Sequence, residues 1–167
     1  MTVSGPEPLN SGHDAAGFDS GAIALDEWSL DYALQAQRSG STKVYVVHDA
    51  GAVLGFYALS AGSVRPERAP SRVRNGQGRY DLPLVVLTRL GIDRRMQGRG
   101  LGAALLKDAL VRVNAAADIV GIRALHAYAN DEGAKGFYQH FGFEPSPIDE
   151  HSMFLLMKDL RASINCK

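Results

Sequence analysis

Apolar residues recur at helical spacing in two long segments of the chain. In residues 24–37 (ALDEWSLDYALQAQ), Leu25, Trp28 and Tyr32 stand at positions i, i+3 and i+7, which predicts an amphipathic helix. The second segment follows a glycine-rich turn, and its apolar positions are Leu106, Ala109, Leu110, Val113 and Ala117. Their spacing predicts a helix of about four turns.

A third, shorter helix is predicted over residues 131–141 (DEGAKGFYQHF). Asp131 belongs to the residue types that cap helix N-termini, because its carboxylate can accept a first-turn N–H. Gly142 belongs to the type that ends helices in the left-handed conformation.

Several segments are rich in apolar and β-branched residues over lengths typical of strands. Residues 43–61 hold two such runs around residues 49–51 (DAG), which predicts a hairpin. Residues 82–92 are too continuously apolar for a half-exposed strand, and residues 122–128 and 153–157 complete the set. The order α-β-β-β-α-β-α-β, without an internal repeat, predicts an α/β (mixed α+β) layer architecture in a single domain.

The predicted globular domain covers residues 18–160. Residues 1–17 are rich in Gly, Pro, Ser and Asp, so we expect a flexible N-terminal arm there, and a C-terminal tail over residues 161–167. No apolar run approaches the roughly 18–20 residues that span a bilayer, and no secretion signal is visible. The one cysteine, Cys166, argues against a disulfide framework and a Cys-rich metal site. These features predict a soluble, cytoplasmic protein that binds no metal.

The formal net charge of the chain is zero, but the charge is unevenly distributed. Residues 65–99 carry nine arginines against three acidic residues, so this segment is about +6 and the remainder about −6. Arginine presents a fork of donors that suits phosphate better than the point charge of lysine does. The segment therefore predicts an anionic partner, although a solvated arginine-rich loop is the alternative.

A glycine-rich turn precedes the second predicted helix, in residues 94–106 (RRMQGRGLGAALL). The first-turn amides of a helix have no intrahelical partners and the helix dipole adds positive charge there, so such a turn can accept phosphate. A Rossmann dinucleotide site is disfavoured, because the turn lies mid-chain and DRRMQ separates it from the preceding strand.

Two motifs in this chain resemble those of the GNAT acetyltransferase superfamily. Residues 97–102 (QGRGLG) match the signature Q/R-x-x-G-x-G/A, and residues 134–143 (AKGFYQHFGF) resemble the later motif A-x-x-F/L-Y-x-x-x-G-F. The resemblance spans residues 18–157. It implies a single-domain GNAT fold: a twisted mixed sheet with helices on both faces and a V-shaped splay that holds acetyl-CoA as acetyl donor.

Further stretches resemble more narrowly the GNAT toxins of bacterial type II toxin–antitoxin modules; they include residues 18–28 (FDSGAIALDEW), 53–64 (VLGFYALSAGSV) and 117–125 (ADIVGIRAL). This resemblance implies an aminoacyl-tRNA N-acetyltransferase that acetylates the α-amino group of the charged amino acid and so blocks translation. It also implies a ribbon-helix-helix antitoxin as partner, and a homodimer.

The resemblance assigns roles to particular residues. Tyr138 becomes the general acid that protonates the departing thiolate. The cofactor-binding residues are Leu90, Gly91 and Ile92, whose amides polarise the thioester carbonyl, and Gln97, Gly98, Arg99, Gly100, Leu101, Gly102, Ala103, Asp131 and Phe137. At Asp131 many GNATs have Asn, so a cofactor contact and a simple helix cap both remain open. The arginines expected to contact RNA are Arg72, Arg74, Arg79, Arg89, Arg94 and Arg95.

Other interpretations remain beside these. Tyr138 could be a core aromatic, and no carboxylate stands out as a general base, since Asp93 and Glu144 could be surface charges. His126 alternates along a strand with Ala and Leu, which is typical of a structural histidine. The alternative function is N-acetylation of a small amine such as a polyamine, drug or amino acid; a further alternative is a coenzyme- or RNA-binding module without catalysis.

Overall fold

The structure is a computed structural model that describes residues 1–165. The strands are β1 (Ser4–Pro8), β2 (Lys43–Asp49), β3 (Ala52–Val64), β4 (Leu82–Ile92), β5 (Ala124–Tyr128), β6 (Glu144–Pro145) and β7 (Ser152–Leu156). The helices are α1 (Ile23–Asp31), α2 (Ala33–Ser39), α3 (Ser71–Arg74), α4 (Leu101–Ala117), α5 (Glu132–His140) and α6 (Met157–Asn165). Cys166, on which the cysteine argument rests, lies outside the described residues.

The strands form one seven-stranded sheet in the order β1-β2-β3-β4-β5-β7-β6. β4 and β5 are parallel, with Leu84 opposite Ala124 and Leu87 opposite Ala127. β2 with β3 and β5 with β7 are antiparallel, so the sheet is mixed. The predicted mixed α/β fold is confirmed. In the part of the chain that the structure describes, no helix has the length and apolar character needed to cross a membrane.

The chain divides into two compact units. The first combines residues 1–60 with residues 88–109. Its apolar core is built from residues of β2, β3 and α2, together with Phe18 in the loop before α1. The core residues are Phe18, Ala33, Val44, Val46, Val53, Phe56 and Ala58. Leu25 and Trp28 of α1 pack against this core, as their helical spacing predicted.

The second unit combines residues 61–87 with residue 110 onward. Its core comprises Ala69, Val73, Leu82, Leu84, Ala124, Phe154 and Leu156. Arg72 is exposed and joins α3 to α6, because its guanidinium donates to both carboxylate oxygens of Asp159 at 2.6 and 3.0 Å. The arginine-rich connection is thus partly ordered by ion pairing and by the buried Val73.

The flexible arm predicted for residues 1–17 is wrong for residues 4–8. These residues form β1, which pairs antiparallel with β2, with Glu7 opposite Val46. The local composition of glycine and proline does not favour a strand. The unpaired edge of β2 supplies the partner, and tertiary pairing overrides local propensity here.

The structure also differs from the predicted helix over residues 24–37 and from the predicted tail over residues 161–167. The segment 24–37 forms two helices, because the backbone at Tyr32 leaves helical geometry with φ −125°. Tyr32 is consequently 62% exposed, whereas the adjacent Ala33 is buried. The predicted tail contains the last residues of α6, a helix that buries Met157 and Leu160.

Candidate functional site

The glycine-rich turn follows β4 in the first unit, and its backbone requires glycine at two positions. Gly98 and Gly100 have φ +77° and +81°, a conformation that costs other residues roughly 1–2 kcal/mol. A Cβ added at either position would meet no atom of the chain within 4 Å. Backbone conformation therefore explains these glycines first, and the same geometry leaves their surface open to a ligand.

Helix α4 begins immediately after this turn. The first α-helical hydrogen bond runs from the Ala104 N–H to the Gly100 carbonyl at 3.1 Å. The amides of Leu101, Gly102 and Ala103 precede it and form the unsatisfied N-terminal turn. This is the geometry in which a helix start accepts an anion.

Asp93 anchors the chain as it leaves β4. Only 2% of its surface is exposed, and its carboxylate accepts the main-chain N–H and the Nε–H of Arg95 at 3.0 and 2.9 Å and the Asp19 N–H at 3.1 Å. Burial alone would raise the pKa of this carboxyl, but the hydrogen bonds from Arg95 and Asp19 outweigh it and hold its pKa below the usual value. Asp93 is therefore neither a surface charge nor a free general base.

Gln97 fastens the turn to the loop before α1. Its side-chain Nε2 donates to the Ile92 carbonyl and the Ser20 carbonyl, both at 2.9 Å. The Arg94 N–H donates to the Asp19 carbonyl at 2.8 Å in the same region. The side-chain amide of Gln97 thus donates within the protein, and a cofactor contact by this residue stays a prediction. The bonds from Gln97 and from the Arg94 N–H use the main-chain carbonyls of Ser20 and Asp19, so no side-chain type in the sequence indicates these contacts.

The end of β4 gives Gly91 a packing role. A Cβ at Gly91 would lie 2.7 Å from Leu25 Cδ2 and 3.2 Å from Phe56 Cε1. The missing side chain therefore makes room for α1, and ligand approach is not needed to explain this glycine. Its neighbours Leu90 and Ile92 are half-buried.

Tyr138 lies on α5 in the second unit and is buried. Its ring packs against Phe137 and Phe143, with centroids 5.4 and 5.1 Å apart. Burial raises the pKa of the Tyr138 phenol to about 12, because an apolar environment penalises phenolate. The hydroxyl therefore stays protonated across the physiological range, which suits a proton donor and not a base.

Helix α5 itself begins at a side-chain cap. The Asp131 carboxylate accepts the Ala134 N–H at 2.7 Å, which establishes the helix-cap interpretation of this residue. Phe137 is half-buried and contacts Phe141 edge-on, with ring centroids 5.2 Å apart. Both geometries are explained by the fold, and a cofactor contact by either residue stays a prediction.

The predicted RNA-contacting arginines differ in their surroundings. Arg72 pairs with Asp159, Arg94 with Asp19 at 3.3 Å, and Arg95 with Asp93 at 2.9 Å. Arg74 is exposed at the end of α3, Arg79 is exposed on the connection after it, and Arg99 is exposed in the glycine-rich turn. Arg89 is half-buried, with its guanidinium 4.0 Å from the centre of the Trp28 ring. Three of these cations already have carboxylate partners in the folded chain.

A cavity of about 400 Å³ lies in the second unit, on one face of the sheet. Its lining includes His126 and Ser152, whose Nε2 and Oγ are 2.7 Å apart, together with Arg68 and Asp149. Burial lowers the pKa of His126, so the ring is neutral near pH 7. His126 has the hydrogen-bond partner expected of a structural histidine. Glu144, considered as a base, faces Arg72 at 3.5 Å.

The fold brings together Glu7, His13 and His48, a set that sequence spacing did not indicate. Each imidazole accepts a main-chain N–H at Nδ1, from Asn10 and from Gly51, both at 3.0 Å. The ring proton then lies on Nε2, facing Glu7, which is 2.6 Å from His48 Nε2. Metal-bound histidines instead donate their second N–H to an acceptor, so this geometry is that of a hydrogen-bonded cluster tying β1 to β2.

Comparison with known proteins defines the class. A family model described as "Acetyltransferase (GNAT) domain" matches residues 40–145. The chain therefore belongs to the GNAT acetyltransferase family.

Particular relatives are similar along nearly the whole chain. A "tRNA-acetylating toxin" of Mycobacterium tuberculosis is 43% identical over 161 residues, which cover 96% of this chain and 96% of the relative. A "Probable toxin TacT" of Sinorhizobium fredii is 33% identical, with 93% of this chain and 92% of the relative covered.

Solved structures agree in fold. A tyrosine-to-phenylalanine mutant of KacT superposes with a TM-score of 0.88 at 27% identity, over 96% of this chain and 97% of that one. AtaT complexed with acetyl-methionyl-tRNAfMet gives 0.86 at 28% identity, over 96% and 97%. A mutant AtaT toxin bound to the C-terminus of the antitoxin AtaR and acetyl-CoA gives 0.81 at 29% identity, over 98% and 97%.

Proposed function

We propose that this chain is the toxin of a toxin–antitoxin module and transfers the acetyl group of acetyl-CoA to the α-amino group of aminoacyl-tRNA, which blocks translation. The observation that carries the proposal is the 43% identity to a tRNA-acetylating toxin across 96% of both chains. Such similarity along the whole length includes the parts of the fold outside the cofactor motifs, where acceptor specificity is built.

The residues at the start of α4 fit the coenzyme. The open surface of Gly98 and Gly100 and the first-turn amides of Leu101, Gly102 and Ala103 would hold its pyrophosphate. Bound acetyl-CoA supplies the acetyl group as a thioester. Gln97 and Asp93 hold the turn in place through main-chain groups, and the amides of residues 90–92 remain our candidates for polarising the thioester carbonyl.

Tyr138 would donate the proton that the departing thiolate needs. Burial raises the pKa of its phenol to about 12, so the phenol is protonated across the physiological range, which is the correct state for a general acid. No side-chain base is required of Asp93 or Glu144, because the ester beside the α-amino group of an aminoacyl-tRNA makes that amine less basic. The free amine can therefore be present without enzymatic deprotonation.

The partners follow from the same proposal. We expect a ribbon-helix-helix antitoxin and a homodimer, and we expect the protein to act in the cytoplasm, where charged tRNA is used. A short open reading frame for a ribbon-helix-helix protein beside the gene would support the module, and size-exclusion chromatography with light scattering would test the dimer.

The deciding experiment gives the purified protein labelled acetyl-CoA with charged tRNA, deacylated tRNA, free amino acids and polyamines in separate reactions. We expect label only on charged tRNA, released by mild base as N-acetyl-amino acid and identified by mass spectrometry. Acetylation of free amines with charged tRNA untouched would replace the toxin by the small-molecule enzyme.

A further inference from the structure

Arg89 is held on an aromatic platform. Its guanidinium lies 4.0 Å from the centre of the Trp28 ring, and Trp28 in turn stacks on Phe56 with an interplanar angle of 19°. Stacking uses the flat face of a guanidinium and leaves its N–H edge free to make two parallel hydrogen bonds.

The charge of Arg89 has no acidic partner among the described residues. This distinguishes it from Arg72, Arg94 and Arg95, each of which faces a carboxylate. A half-buried cation without an anion is unfavourable, and burial accordingly lowers the pKa of Arg89. A ligand that brings a negative charge would offset this cost.

Arg89 and the glycine-rich turn lie on different sides of β4. Arg89 lies on the face that packs against α1, whereas the turn leads into α4. Arg89 and Gly91 are two residues apart on the strand and both face α1, through Trp28 and Leu25. Ile92 points the other way, since its Cδ1 and that of Leu105 on α4 both lie beside Gly55. An anion on Arg89 is therefore reached from the face opposite to α4.

We propose that Arg89, stacked on Trp28, binds a backbone phosphodiester of the tRNA acceptor. This inference rests on the proposed function, in which the coenzyme phosphates occupy the start of α4 and RNA supplies the remaining anions. The guanidinium edge makes bidentate hydrogen bonds to the two non-bridging oxygens. The contact positions the RNA and reads no sequence.

The test is a salt titration of the binding of unfractionated deacylated tRNA, with acetyl-CoA affinity and the KM for charged tRNA measured in parallel. Arg89→Met keeps the stem on Trp28 and removes the charge, and Arg89→Lys keeps the charge and removes the fork. Arg65→Met is the matched control, since Arg65 is exposed and paired with Glu67 at 3.0 Å. Thermal unfolding of each variant checks that it folds.

We expect Arg89→Met to reduce the salt slope of log K by about 1, so that between 50 and 200 mM salt the wild type loses about fourfold more affinity than the variant. The KM for charged tRNA should rise about 10-fold, acetyl-CoA affinity should stay within about twofold, and Arg89→Lys should weaken binding at every salt concentration with little change of slope. Arg65→Met should match the wild type.

An unchanged slope in Arg89→Met, wild-type affinity in Arg89→Lys, or loss of acetyl-CoA affinity in place of tRNA affinity would overturn the proposal. If the wild type binds tRNA with an Arg89-dependent slope yet acetylates no charged tRNA, the phosphate site stands and the proposed function fails.

Discussion

The glycine turn and the surroundings of Tyr138 use opposite environments for their polar groups. In the turn, residues 97–100 are exposed, and the polar groups offered to a ligand are main-chain amides at a helix start. Around Tyr138 the neighbours are aromatic rings, and one hydroxyl is kept protonated by burial. The main-chain amides of the turn suit the binding of an anion, and the apolar surroundings of Tyr138 keep its hydroxyl protonated.

Substitutions in the two regions should therefore change different kinetic quantities. Under the proposed function, a change in the turn should alter affinity for the coenzyme, because its groups would contact an anion that is the same before and after the reaction. A change at Tyr138 should alter the reaction rate at constant affinity, because a general acid would transfer its proton only in the transition state.

Tyr138→Phe should lower the single-turnover acetylation rate by about 10²–10⁴-fold, with acetyl-CoA affinity unchanged, because it removes one general acid and keeps the ring packing. Rapid-quench kinetics and calorimetry measure the two quantities. Because burial raises the pKa of Tyr138 to about 12, wild-type activity should show no loss from its ionisation between pH 7 and pH 10.

Tyr57→Phe is the matched control, since Tyr57 is buried and its hydroxyl bonds Asp108. It should lower stability by about 1–2 kcal/mol and leave the rate per folded molecule within a few-fold. A Tyr138→Phe rate equal to that of this control would remove Tyr138 from the chemistry.

Gly100→Asp should weaken acetyl-CoA binding by about 100-fold or more, because it places a carboxylate beside the expected pyrophosphate and in a left-handed backbone position. Gly100→Ala introduces the same backbone strain without the charge, so it should cost stability and only a small part of the affinity. Calorimetry on both folded variants separates the effect of the charge from the effect of backbone strain. If Gly100→Asp and Gly100→Ala bound acetyl-CoA equally well, Gly100 would be needed for the turn conformation alone.

Asp93→Asn should destabilise the fold by about 1.5–3 kcal/mol at pH 7, because the amide cannot accept every N–H that faces the buried carboxylate. The folded-state pKa of Asp93 lies below its unfolded value, so its contribution is present above about pH 4 and is lost as pH falls through the folded value. Urea unfolding at pH 7 and pH 3 measures this, and a pH-independent difference would contradict it.

Gln97→Ala should raise the KM for acetyl-CoA about fivefold with kcat nearly unchanged, since about 1 kcal/mol of hydrogen bonding that positions the turn is lost. Gln97→Arg retains donors for the two carbonyls and should restore part of the affinity. If Arg rescues nothing, Gln97 acts by direct contact and not by positioning.

The smallest effects are expected from the ion-paired arginines. Arg72→Ala and Arg94→Ala should each change the salt slope of tRNA binding by much less than the loss of a full phosphate contact, because a carboxylate already offsets each charge. The same titration used for Arg89 measures them. Slopes reduced by about 1 in these variants would show that RNA displaces the carboxylates.

The strand–turn–helix at residues 82–117 could be predicted because its signals are local. The continuous apolar run, the glycines and the helical spacing each depend on the conformation of the backbone at those same residues. The packing role of Gly91 could not be predicted for the opposite reason, since the space left by its missing side chain is taken by Leu25, which is distant in sequence. The anchoring by Asp93 and Gln97 could not be predicted either, because their partners in residues 19–20 are main-chain groups with no sequence signature.

Contacts between distant residues also explain why β1 and the Arg89–Trp28 pair were not predicted. β1 has no strand-like pattern and exists because β2 offers it an edge. The break at Tyr32 separates two helices whose combined pattern looks continuous. The Arg89–Trp28 pair joins β4 to α1 across 60 intervening positions, so neither residue indicates the other in the sequence.

Proline occupies both margins of the seven-stranded sheet. β1, at one margin, carries Pro6 and Pro8, and the two-residue β6, at the other, ends with Pro145. Proline lacks the N–H that a further strand would need, so neither margin can readily template edge-to-edge association with another chain. Replacing Pro8 or Pro145 by valine should therefore promote concentration-dependent aggregation before it changes any catalytic quantity.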